Sequence, residues 1–245
     1  MAAIELTVIG CGDAFSSGGR AHTCFYVRAV SCCFLIDCGA TAFSSLKKNG
    51  ISNEEIDVVI ISHFHGDHYG GLPFFLLEAA VLKRTKPLTI ISPPGCKEKI
   101  KELLTLLYPG STVLDKLTVH FRSYQDDEEL KTEHLSVLAV PVIHSPATLP
   151  HGLRIQIDRK VISYSGDTEW TQNLAILAKD ADLFICECNF YSLQVKGHMN
   201  YKLLQKNLSK LAYKRIMLTH FDNEMLQNLE KVEVECASDG LKIHL

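Results

Sequence analysis

The stretch Ile56-Asp57-Val58-Val59-Ile60-Ile61-Ser62-His63-Phe64-His65-Gly66-Asp67-His68 decides how this chain is built. Its first half, Ile56–Ser62, is a nearly continuous β-branched run, the pattern of a strand buried on both faces. Its second half places four potential metal ligands in six residues. On a loop leaving a strand, His63 and His65 can point to one side and grip one ion, while Asp67 and His68 turn toward a second. Imidazole suits zinc and iron, and a carboxylate adds charge and can bridge. The competing reading, four polar residues in a solvated turn, is weakened by Gly66, Gly70 and Gly71, which crowd the motif into a tight loop.

Working outward, strand-like segments stand at Ile4–Gly10, Cys24–Val30 and Cys32–Asp37, and a short helix over Thr41–Lys48 stops at Asn49-Gly50. Downstream of the motif, Leu72–Leu82 reads as helix and Leu88–Ile91 as strand. Cys96–Leu107 is a helix bounded by Pro93-Pro94-Gly95 and Pro109-Gly110. Further strands are expected at Leu117–Phe121, Leu135–Val142, Leu153–Ile157 and Val161–Ser165, with the acidic Asp126–Glu129 as a turn. The second half alternates helix Thr171–Ala178, strand Leu183–Cys188, helix Tyr201–Ala212, strand Arg215–Thr219 and helix Asn223–Leu229. Antiparallel strands with interspersed helices imply α/β architecture, a four-layer αββα sandwich of two mixed sheets flanked by helices. No linker, repeat or low-complexity tract interrupts the chain, so residues 1–245 are expected to form one hydrolase-type domain.

The motif HxHxDH after a buried strand resembles that of the metallo-β-lactamase superfamily, and the resemblance runs along most of the chain. It implies that the remaining ligands come from later strand ends. His144 after the Leu138–Ile143 strand resembles the third ligand of the first metal. Asp167, in Tyr164-Ser165-Gly166-Asp167-Thr168, resembles the bridging carboxylate, and His220, in Leu218-Thr219-His220, the last ligand of the second metal. His151 competes with His144 for its role, and His144 is preferred because it adjoins the strand end. His22, His120, His134 and His244 lack such a context and read as structural or surface residues.

Seven positions, His63, His65, Asp67, His68, His144, Asp167 and His220, thus form the expected metal set. Two divalent ions are implied, zinc by preference, with manganese and iron compatible with the same donors. Two ions about 3.5–4 Å apart can share a hydroxide and clamp the attacked centre, with Asp67 ligating and orienting that nucleophile.

Within the superfamily, secreted zinc lactamases carry a cysteine where Asp167 stands, and glyoxalase II adds a C-terminal helical domain where only 25 residues follow His220 here. The ribonuclease Z-like and phosphodiesterase branch is closer. Its glycine-bearing N-terminal loop resembles Val8–Asp13, continued by Ser16–Arg20. Its Glu and downstream His resemble Glu187 (Cys186-Glu187-Cys188) and His198 (Gly197-His198-Met199), a pair suited to protonating a leaving oxygen. The alternative for the pair is an ordinary buried ion pair, and its spacing is shorter than in the ribonucleases.

The net charge is -3, and no long Gly- and Lys-rich arm is present to hold a tRNA body. Both argue for a small phosphodiester, cyclic or linear, over structured RNA, because phosphate-dominated binding needs basic surface. The expected function is therefore a metal-dependent hydrolase cleaving a small phosphodiester through a metal-bridging hydroxide. A ribonuclease Z-type RNA endonuclease and a non-catalytic scaffold of the same fold are the alternatives. A di-iron redox protein would need a flavin domain for which the chain has no room. A homodimer is what the resemblance implies for assembly. The first residues lack a signal-peptide pattern and no apolar run reaches a membrane span, so a cytoplasmic location without membrane partners is expected. The nine cysteines read as reduced, buried small hydrophobes.

Overall fold

The computed structural model describes residues 4–245. Six strands lead the first sheet: β1 (Glu5–Gly10), β2 (Cys24–Arg28), β3 (Cys33–Ile36), β4 (Val58–Ile60), β5 (Leu88–Ser92) and β6 (Val119–Ser123). The second sheet contains β7 (Glu129–Lys131), β8 (Leu135–Pro141), β9 (His151–Ile157), β10 (Lys160–Tyr164), β11 (Leu183–Glu187), β12 (Ile216–Thr219) and β13 (Glu235–Cys236). A last strand, β14 (Lys242–His244), returns to the first sheet, whose order is β14-β1-β2-β3-β4-β5-β6, while the second runs β13-β12-β11-β10-β9-β8-β7.

Alternation along each strand builds four layers. In β2, β3 and β4, Phe25, Val27, Phe34, Ile36, Val58 and Ile60 face the core between the sheets. Tyr26, Leu35 and Val59 face the outer layer, α1 (Ala42–Lys48), the short α2 (Gly66–Tyr69), α3 (Leu72–Val81) and α4 (Cys96–Leu107). The second sheet mirrors this. Leu183, Ile185 and Met217 look inward, while Phe184, Cys186 and Leu218 meet α5 (Asn173–Ala178), α6 (Tyr201–Asn207) and α7 (Asn223–Leu226). Each such side chain contributes roughly 1.5–3 kcal/mol on leaving water, and two-faced burial is why these strands carry continuous apolar runs. All nine cysteines are unpaired, seven buried and two half-buried.

The topology also fixes where chemistry can gather. Strands β3, β4, β5 and β6 run parallel, as do β10, β11, β12 and β13. Strand β8 is antiparallel to β9, which is antiparallel to β10, so β8 points the same way as β10. The segments leaving β3, β4, β8, β10, β11 and β12 therefore emerge at the C-terminal ends of their sheets, where open α/β sheets collect ligands.

Several boundaries differ from expectation for local reasons. The ladder of β4 ends at Ile60 because the Ser62 backbone N–H turns aside to donate to Asp37 Oδ1 at 2.7 Å. The helix expected over Tyr201–Ala212 stops at Asn207 and tightens into a 3-10 turn at Leu208–Lys210, where Asn and Ser are weak helix formers. The acidic turn holds at Asp127, with φ 58°, but Glu129 already opens β7. Among the described residues, no helix is long and apolar enough to cross a membrane.

Candidate metal centre

The loop after β4 enters α2 through His65 in extended backbone, which splits the motif between two directions. The turn is held close to its neighbours. Gly39 packs against the Asp67 carbonyl, where a Cβ would stand 2.1 Å away, so only glycine lets the β3 exit touch the motif.

The structure brings all seven expected ligand positions together, in two groups sharing one carboxylate. His63, His65, His144 and Asp167 offer ligand atoms all within 4.8 Å of one another, and so do Asp67, His68, Asp167 and His220. Asp167 Oδ2 lies 3.8 Å from both His63 Nε2 and His144 Nε2, and 3.5 Å from His220 Nε2. Its Oδ1 lies 3.3 Å from His68 Nε2. Asp67 Oδ2 stands 3.2 Å from both His68 Nε2 and His220 Nε2. His151, the rival of His144, points elsewhere and pairs with Asp126 at 2.9 Å.

A buried polar atom without a partner costs roughly 1–3 kcal/mol, yet His63 Nε2, His68 Nε2 and Asp167 Oδ1 all lack a hydrogen bond. These orphans converge on the two groups, in a donor set of imidazole and carboxylate, so the residues fit divalent cations.

The opposite edges of the rings are pinned, as metal-binding histidines require. Asp37, fully buried at the end of β3, accepts from the Ser62 hydroxyl and meets His68 Nδ1, each at 2.7 Å. Ser62 Oγ also contacts His63 Nδ1 at 3.0 Å. The Gly197 carbonyl accepts from His144 Nδ1 at 2.7 Å, and the Asn189 side chain meets His220 Nδ1 at 2.8 Å. None of Asp37, Ser62, Asn189 or Gly197 was singled out for such a role from the sequence. Only Asp37 carried a usable signal, a carboxylate directly after an apolar strand, as at Asp167.

Charge is concentrated here. Burial opposes a charge on His68, but Asp167, Asp67 and Asp37 outweigh it and hold the imidazole well above its ordinary range. Burial likewise opposes ionisation of Asp67, while His68 and His220 hold its carboxyl far below the carboxylate range. The same carboxylates would favour a cation held beside this ring.

Glu187 and His198 also meet. Glu187 Oε1 contacts His198 Nδ1, and Glu187 Oε2 accepts from the backbone of Thr168 at 2.8 Å and Met199 at 3.1 Å. Burial disfavours the charged ring of His198, but Glu187 overrides this and pushes its pKa up to about 9. The ring stacks on His220 with 5.9 Å between centroids.

A cavity of about 540 Å³ opens over the cluster, lined by Asp67, Asp167, His198, His220 and, from the N-terminal loop, Asp13, Ala14, Phe15 and Ser17. Arg20 does not join it. Its guanidinium donates to the Ala237 carbonyl at 2.7 Å and to Cys11 Sγ at 3.2 Å. Trp170 lines a neighbouring cavity that shares His198.

Two seven-stranded mixed sheets between helices, with a His/Asp metal-binding cluster at their strand ends, define a metallo-β-lactamase fold protein. Residues 4–236 match the family described as Anti-Pycsar protein Apyc1, and the chain belongs to that family. The probable metallo-hydrolase YhfI of Bacillus subtilis is 28% identical over 243 residues, 97% of this chain and 95% of its own. A ribonuclease Z of Clostridium acetobutylicum is 31% identical over 159 residues, covering 64% of this chain and only 52%, about half, of the relative. Among solved structures, the B. subtilis YhfI crystal structure superposes over 100% of both chains with a TM-score of 0.83 at 24% identity. Human short-form tRNase Z does so over 98% of each chain with a TM-score of 0.79 at 23% identity. At these identities the structural likeness speaks for the fold.

Proposed function

We propose that this chain, read as a single domain, is a dinuclear metal-dependent hydrolase that cleaves a small phosphodiester, cyclic or linear. The observation that carries the reading is Asp167, which belongs to both ligand groups and would be shared by two adjacent cations. His63, His65 and His144 would hold the first cation and Asp67, His68 and His220 the second. Bound divalent ions, zinc by preference with manganese or iron compatible, would act as Lewis acids on the phosphoryl group and lower the pKa of water.

The chain's own residues supply the rest. Asp67, ionised between His68 and His220, orients the attacking water. His198 donates a proton to the leaving oxygen from its ring edge opposite Glu187, which holds the ring in place and favours its charged form. The cavity of about 540 Å³ suits a small-molecule substrate and is too small to enclose a folded RNA.

Replacing His198 by alanine should slow hydrolysis according to the leaving group. For a diester of an alkyl alcohol or sugar the loss is expected to be about 10²–10⁴-fold, because the departing alkoxide needs a proton. For bis(p-nitrophenyl) phosphate it should be far smaller, since p-nitrophenolate departs unaided. Equal losses on both substrates would remove His198 from the proton-donor role.

A ribonuclease Z-type reading is favoured by the match to the Clostridium relative. Assaying a cyclic mononucleotide, a dinucleotide and a tRNA precursor across a salt series separates the two. Turnover of the small diesters with a shallow salt dependence supports the proposal. Exclusive turnover of the precursor, falling steeply with salt as counterion release requires, replaces it with the endonuclease.

A further inference from the structure

The geometry points to Glu169 as a positioning residue that holds one proposed metal ligand and the proposed proton donor through a single residue, Gly197. The inference rests on the dinuclear reading above.

Glu169 Oε1 accepts the backbone N–H of Gly197 at 2.8 Å. The carbonyl of Gly197 in turn accepts from His144 Nδ1 at 2.7 Å. The residue before His144, Ile143, closes the circuit, because its carbonyl accepts the Glu169 N–H at 2.9 Å. A hydrogen-bonded ring thus joins the segments after β8 and β10 to the loop ahead of α6. With Nδ1 committed as a donor, His144 must present the lone pair of Nε2 to the cluster, the atom that lies 3.8 Å from Asp167. Second-sphere acceptors of this kind fix the tautomer and raise the basicity of a metal-binding imidazole.

Gly197 directly precedes His198 in the chain, so what fixes this residue also fixes the backbone from which the ring oriented by Glu187 projects. Gly197 itself is irreplaceable here. It adopts φ +86°, and a Cβ would stand 2.8 Å from His144 Nδ1. Its N–H is accepted by the Glu169 side chain rather than by a backbone carbonyl. Glu169 also lines the cavity beside the main one, together with His198 and Trp170, so it is not locked into packed core and its removal leaves the sheets untouched.

The test compares wild type, Glu169→Ala and Glu169→Gln in metal affinity, by competition with a chelator, and in hydrolysis of an alkyl and a p-nitrophenyl phosphodiester. Glu169→Ala is expected to weaken metal retention by up to about 10-fold, the low end of the effect of losing a second-sphere partner, because Glu169 acts on His144 through Gly197. It should also lose more activity on the alkyl diester than on the p-nitrophenyl one. Glu169→Gln keeps an oxygen acceptor for Gly197 and should recover most of both losses. Gly197→Ala, with Glu169 intact, should weaken metal retention as well by displacing His144. Wild-type metal affinity and leaving-group dependence in a folded Glu169→Ala protein overturn the inference, as does failure of Glu169→Gln to recover either. A wild-type protein that takes up no metal instead overturns the dinuclear reading on which it stands.

Discussion

Replacing Asp167 by alanine is expected to remove both metal retention and turnover. This carboxylate is the one group common to both ligand sets, fully buried between His63, His68, His144 and His220. Its loss deprives each cation position of an anionic ligand and leaves four imidazoles facing one another with Asp67, Asp37 behind His68 and the more distant Glu187 to balance charge. The rate should fall on the order of 10³-fold or more, since single preorganised groups at a reacting centre already supply 10²–10³ and here the Lewis-acid function is lost with them. Elemental analysis after desalting, together with bis(p-nitrophenyl) phosphate hydrolysis, checks this. A variant that retains two metals and stays within ten-fold of wild type would show that Asp167 is not the shared ligand.

The second large effect is expected at Asp37, which touches no substrate and contributes to both stability and metal binding. It accepts three hydrogen bonds of 2.7 Å, from the Ser62 backbone, the Ser62 hydroxyl and His68. Asp37→Ala strips the buried His68 of its outer partner and leaves a buried Ser62 N–H unsatisfied. Breaking a buried charged pair from one side costs about 3–5 kcal/mol, and a chain of this size loses about 2–4 °C in Tm per kcal/mol. Metal affinity should drop about 10–100-fold in addition. Asp37→Asn, which keeps one oxygen acceptor, should fall between. Thermal unfolding with metal and with chelator separates the two contributions, and an unchanged Tm in the chelated Asp37→Ala protein would refute the structural part.

How much of this could be read in the chain itself follows from what each residue had to signal. The motif His63–His68 was legible because polar ligands at that density cannot pack a core. His144, Asp167 and His220 were picked out through the resemblance, each lying after an apolar run, and parallel topology carries those strand ends to a common place. Glu187 and His198 could be paired only through the resemblance, and the fold supplies the contact that spacing alone did not. Asp37, Ser62, Asn189, Gly197 and Glu169 are single residues whose partners lie far away in sequence, such as Ser62 for Asp37 or Gly197 for Glu169, and no local periodicity marks them. The layered architecture was legible from the apolar runs. The edge strands β7, β13 and β14, of three, two and three residues, were not, because so short a segment shows no alternation. Arg20, in the same N-terminal loop, closes the C-terminal segment onto the first sheet.

The central claim, two cations bridged by Asp167 and used to hydrolyse a phosphodiester, is tested most directly by metal content and turnover in the same preparation. The measurement is elemental analysis of the wild-type chain alongside hydrolysis of bis(p-nitrophenyl) phosphate, with Asp67→Ala as the paired variant. The account predicts about two metals per chain and turnover that disappears in the variant. A chain that holds no metal and shows no turnover after reconstitution with zinc, manganese and iron would contradict it and leave a non-catalytic scaffold of the same fold.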